Sequence, residues 1–192
     1  MMNFQKYYSM TEAVIPDLIE IPDNSLYNAF YGMGNLKSIS IPNSITNISK
    51  MCYNCGWNLT TAVCGNNVTD MSWAYSSCSN LTGSPACGNK VTNMSNAYYN
   101  CRNIRGNAYF YSNNVFNVGC CFASRNTSNI LNIYVHNGSK TMNTCLSNNY
   151  TSSLVGYDIT WTNNSICHYN TQFNIYIYPV SNVADKRASN GD

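Results

Sequence analysis

Charge is what this sequence has least of. Only 9% of its 192 residues are Asp, Glu, Lys or Arg, against about a quarter in an ordinary soluble domain. Acid–base catalysis needs carboxylates or imidazoles converging in a cleft. Here histidine occurs twice, and Asp70 and Asp158 are nearly the only acids away from the termini. No G-x-S-x-G, H-E-x-x-H, phosphate-loop or G-x-G-x-x-G motif is present. The expectation is a protein that is not an enzyme and uses no cofactor. No apolar run reaches the ~18 residues of a membrane span, so no span is expected. The opening MMNFQKYYSM lacks the apolar core of a secretory leader, which predicts a chain made in a cytoplasm with its thiols reduced.

What is present is repetition. The stretch CGNNVTDMSWAYSSCSNLTG (Cys64 to Gly83) recurs 23 residues later as CGNKVTNMSNAYYNCRNIRG (Cys87 to Gly106), with 12 of 20 positions identical. A unit that short cannot bury its own apolar face, so copies must stack. Weaker copies flank this pair. Ile41 to Thr60 fits once a residue is allowed beside Trp57, Ala29-Phe30 matches Ala74-Tyr75 and Ala97-Tyr98, and Asn113 to Phe122 is a decayed copy. About five units between residues 18 and 128 exceed the ~3 that a stable stack requires.

Within a unit, Asn35-Leu36, Asn58-Leu59, Asn80-Leu81 and Asn103-Ile104 recur at steps of 23, 22 and 23. The leucine opens an alternating run such as LKSISIP, which predicts a short strand. Met71, Ala74, Tyr75 and Cys78 stand at i, i+3, i+4 and i+7, which predicts one or two helical turns that Asp70 or Ser72 caps. The fold class expected is an α/β solenoid, a leucine-rich-repeat-like stack of ~23-residue rungs, each a short parallel strand plus a short helical turn. Residues 1–17 would be a lead-in or attachment segment and 18–128 the solenoid. A β-rich C-terminal cap would occupy 129–183 and a tail 184–192. Strand candidates in the cap begin at Asn132 and Asn174 and span Ser153 to Trp161, and Lys140 to Leu146 reads as a helical turn.

Asparagine supplies 33 residues, several at fixed repeat positions. This predicts side-chain amides bonded to the turn backbone of neighbouring rungs. Cysteine supplies ten. Cys55, Cys78 and Cys101 share one repeat phase, Cys64 and Cys87 another, and no second pair complements the C-x-x-C at Cys52 and Cys55. Cysteines recurring with the fold period read as buried thiols rather than a metal site. Residues 24–157 carry seven basic side chains against Asp70 alone, a net of +6. Only Lys37 and Arg105 share a phase, so the charge is scattered and no nucleic-acid partner is expected. The N-x-[ST] triplets, among them Asn47 and Asn67, follow from the repeat's own preferences.

The pattern x-x-A-[FY]-x-x-C-x-N-L, with its I-P or C-G strand exit and V-T-x-[MI]-S, resembles the BspA-like leucine-rich repeats. That family occurs in bacterial surface proteins and in proteins of bacteriophages. The chain departs from it at Met33, Met51 and Arg125. The ending also resembles the ends of repeat-containing phage structural proteins. The resemblance implies a virion location and a tail fibre or other receptor-binding appendage that contacts a glycan or protein on the bacterial host. Two alternatives remain open: a structural virion component (capsid decoration or tail connector) binding only other virion proteins, and a fragment of a bacterial surface adhesin. Copies of the chain itself are a further partner class.

The residues that point to binding are aromatic. Phe30, Cys52, Tyr75 and Tyr98 share an inward phase. The next position reads Tyr31, Tyr53, Ser76 and Tyr99 and is expected to face outward or to the flank. Trp73 has Lys50 and Asn96 as repeat equivalents, a position that tolerates polar residues, so it too is expected to be exposed. Tyr31, Tyr53, Trp73 and Tyr99 are therefore the candidate binding residues: stacked rings on a low-charge face suit sugar rings or a protein partner. The competing explanation for the same row is rung-to-rung packing that seals an edge.

Overall fold

The computed structural model describes residues 3–17, 20–123, 131–136, 139–141, 150–155, 158–163 and 171–178. Its repeat segment is held by turns rather than by helices and strands. Between Met71 and Cys78, the amides of Ala74, Ser76 and Cys78 bond three residues back, to the carbonyls of Met71, Trp73 and Tyr75. The intervening amides leave the rung: Met71, Trp73, Tyr75 and Ser77 donate to the carbonyls of Asn93, Ser95, Ala97 and Tyr99, at 2.7–3.0 Å. The rungs above and below repeat the scheme, from Ile48 to Asp70 and from Met94 to Asn117.

The predicted helical turn is thus absent. An α-helix would spend every amide internally, whereas here half of them join neighbouring rungs. The backbone achieves this with left-handed residues at Lys50, Asn54, Trp73, Ser77, Asn96 and Asn100, φ 54 to 62°. Asn visits that region readily. The apolar stripe survives the change, and Met71, Ala74, Tyr75 and Cys78 are all fully buried, because successive three-residue turns bring the same positions inward. With no helix to cap, the Asp70 carboxylate closes a local turn instead, accepting from Ser72 N at 2.8 Å, with Asn47, Asn93 and Asn117 in the same role one or two rungs away. These four residues also form the isolated parallel bridges that align the rungs.

Leu36, Leu59, Leu81 and Ile104 are buried as the pattern requires, but strands follow only the first and the last. β1 (Glu12–Ala13) pairs in parallel with β2 (Ser38–Ile39), and β3 (Gly106–Tyr109) with β4 (Leu131–His136). After Leu59 and Leu81 no ladder forms, and a single bond from Thr82 N to Thr60 O joins the rungs there. The Asn58–Asn80 step of 22 puts these segments out of register, and Pro85 offers no amide.

Side chains complete the stitching. Asn35, Asn58 and Asn103 donate their amides to the carbonyls of Tyr8, Gly34 and Ser79 at 2.8–3.0 Å, and Asn80 does the same to Trp57. This is the asparagine ladder expected from the repeat phases. Thr69 and Thr92 donate to the carbonyls of Thr46 and Thr69, both at 3.1 Å. One continuous apolar core runs from Ala13 to Val135. Residues 3–17 belong to the stack rather than preceding it. Phe4 N bonds Ala29 O, its ring lies 5.0 Å from that of Phe30, and β1 extends the first rung.

From the last repeats onward, β3, β4 and β7 (Thr171–Tyr178) run parallel, and β5 (Tyr150–Val155) and β6 (Asp158–Asn163) add antiparallel, in the order β3-β4-β7-β6-β5. The single strand expected at Ser153 to Trp161 is two paired strands, with Val155 opposite Asp158. The helical turn expected at Lys140 to Leu146 lies largely outside the described residues.

Candidate recognition face

The four predicted binding residues come together. Tyr31 and Tyr53 stack at 5.3 Å with their planes within 3°. Tyr53 and Trp73 follow at 5.9 Å, then Trp73 and Tyr99 at 6.1 Å, tilted by 41° and 54°. The row crosses four rungs without a gap. Tyr31 is 42% exposed, and the other three are half-buried.

Two expectations need correction here. Ser76, which shares the phase of Tyr31, Tyr53 and Tyr99, does not face outward; it is fully buried and its hydroxyl has no partner. Trp73 is not free-standing either. Its ring fills the place in the row that Ser76 leaves empty, which is why a tryptophan occupies a position given to Lys50 and Asn96 in adjacent rungs. The pairing of a large residue at one phase with serine at the other was the signal in the sequence.

Beneath the row lies a second, buried one. Tyr75 and Tyr98 stack at 5.6 Å, and Tyr98 and Phe122 at 5.6 Å. Their hydroxyls cross the rung interior to donate to Val63 O and Ala86 O at 2.6 and 2.7 Å. Burial pushes both phenols well above their ordinary ionisation range.

The cysteines form a third ladder. Cys55, Cys78 and Cys101 donate their thiols to the carbonyls of Phe30, Cys52 and Tyr75, one rung back, at 2.8, 3.0 and 3.0 Å. Cys52, Cys55, Cys64, Cys78 and Cys101 are free thiols, as the shared phases imply, whereas Cys120 is disulfide-bonded. Burial raises Cys52 and Cys78 well above the usual thiol value, and takes Cys64 to about 11 and Cys101 to about 12. Burial therefore keeps Cys52, Cys64, Cys78 and Cys101 protonated at neutral pH, whereas the hydrogen bond from Cys52 lowers Cys55. No group of three His, Cys, Asp or Glu that would hold a metal occurs among the described residues. No helix among them is long and apolar enough to cross a membrane.

Stacked rungs of 22–24 residues, each with a buried leucine phase and an asparagine beside it, define a leucine-rich repeat protein. Residues 2–129 match the BspA type leucine rich repeat region in six copies. The chain belongs to that family, and the match starts upstream of the boundary expected at residue 18. Neither a search of curated proteins nor one of solved structures finds a match.

Proposed function

We propose that the chain is a non-enzymatic repeat solenoid whose exposed aromatic row recognises a glycan or protein on a bacterial surface. In this reading it is part of a phage virion, in a tail fibre or comparable host-contacting appendage. One observation carries the reading: Tyr31, Tyr53, Trp73 and Tyr99 form an unbroken series of rings across four rungs, each partly open to solvent. The virion setting rests on the family's occurrence in phage and bacterial surface proteins.

The test is attachment of the purified, labelled chain to intact bacterial cells across a salt series. Retention of binding between low and physiological salt is expected, because the basic residues occupy different repeat phases. Steep loss over that range would transfer the interaction to the +6 charge balance and an anionic ligand. Absence of cell binding, with stable capture of other virion proteins, would favour the structural component.

A further inference from the structure

A groove on the opposite side of the stack has the chemistry of a second binding site. The Tyr75 and Tyr98 hydroxyls reach across the rungs to Val63 and Ala86, so the residues just after those two lie across the core from the aromatic row. There, three rungs enclose a groove of about 450 Å³, within the ~300–1,000 Å³ usual for small-molecule sites. Its polar rim is Asn66, Asn89, Asn107 and Ser84, and one end is formed by Tyr109 and Tyr111.

We propose that this groove binds a neutral sugar unit. No Asp, Glu, Lys, Arg or His is among the described residues lining it, so an anion or a cation would meet no counter-charge, while a purely apolar ligand would strip water from the exposed Asn66 and Asn89 amides without replacing it. A side-chain amide offers both donors and an acceptor, the combination that a sugar hydroxyl matches. Asn66 and Asn89 are exposed and occupy one repeat phase on adjacent rungs. Asn107 is fixed in place: it donates to the Tyr109 hydroxyl at 3.3 Å and accepts from Asn132 at 3.1 Å. The ring of Tyr111 continues a rigid stack, 6.0 Å from Tyr109, which lies 4.7 Å from Tyr134. Such a ring suits the C–H face of a pyranose. Glycine fits closely at this wall, where a Cβ on Gly88 would stand 3.0 Å from Gly65 O and 3.1 Å from Cys64 Sγ.

The groove does not depend on the recognition row, and one experiment separates them. The full chain is titrated calorimetrically with glucose, galactose and N-acetylglucosamine and their short neutral oligomers. Saturable binding of at least one is expected, weakened about tenfold by Asn89→Ala and by Tyr111→Ala. Asn89 is exposed, so Asn89→Ala gives the test even where Tyr111→Ala disturbs folding. The proposal is overturned if no member of the panel binds. It is equally overturned if Trp73→Asn abolishes binding while Asn89→Ala retains it, an outcome that assigns the sugar to the aromatic row.

Discussion

Replacing Asn58 with Asp isolates the most repetitive interaction in the molecule. The Asn58 amide donates to Gly34 O at 2.8 Å from a half-buried position. Asn58→Ala deletes the donor, which costs ~0.5–1.5 kcal/mol for an average intramolecular hydrogen bond. Asn58→Asp keeps the shape but aims a carboxylate oxygen at a carbonyl oxygen. The charged form then loses its place in the ladder and its hydration together, a cost of ~1–3 kcal/mol. At ~2–4 °C per kcal/mol for a chain of this size, Asp should melt several degrees below the parent and below Ala. Thermal unfolding at pH 7 measures this order. The Asp deficit should shrink on acidification, because a protonated carboxyl donates where the amide did. Asn103→Asp, at an exposed rung position, should cost less. An Asn58→Asp protein as stable as the parent, or more stable than Asn58→Ala, would refute the donor ladder.

Three further outcomes are expected. Ala97→Leu should lose ~1–3 kcal/mol by overpacking, since Ala97 is fully buried and its carbonyl accepts from Tyr75 N; an unchanged melting temperature would place this turn at the surface. Stability should be level through neutral pH and fall on the alkaline side. Tyr75, Tyr98, Cys64 and Cys101 all have folded-state values raised by burial, so the unfolded chain holds fewer protons there and stability drops from about pH 9 upward, beyond the ordinary thiol value. Melts from pH 7 to 11 check this, and a rise in stability over that range would contradict it. Thiol titration should find Cys52, Cys55, Cys78 and Cys101 unreactive in the native protein and reactive once it is denatured without reductant; rapid native labelling would show that the core is open.

Much of this architecture was legible in the sequence because its period forces it. The 23-residue step located the buried phases, and the asparagine phase predicted amide-to-backbone bonds that Asn35, Asn58, Asn80 and Asn103 all make. The helix at Met71 to Cys78 was misread because i, i+3, i+4, i+7 spacing also fits consecutive turns whose alternate amides bond the next rung. Asn54, Asn96 and Asn100, at left-handed positions, were the available hint. Tyr31, Tyr53 and Tyr99 followed from a shared phase and Trp73 from its polar repeat equivalents, but the exchange of roles between Trp73 and Ser76 depends on side-chain direction, which phase does not encode. The thiol ladder was hidden because a buried cysteine reads as apolar whether or not its S–H is bonded. The groove stayed invisible because its walls come from three rungs, and phase does not encode the space left between them.

The central claim is that the aromatic row binds rather than merely packs, and Trp73→Asn addresses it most directly. Trp73 is left-handed at φ 59°, and its equivalent in the next rung, Asn96, has φ 55°. The substitution therefore keeps the backbone preference and removes only the ring. The measurement is attachment of the variant to bacterial cells alongside its melting curve. Loss of ~1–2 kcal/mol of binding, about tenfold, is the magnitude expected for truncating a desolvated aromatic contact, with a nearly unchanged melting temperature. Unchanged attachment together with a clearly lowered melting temperature would make the row edge packing and contradict the account.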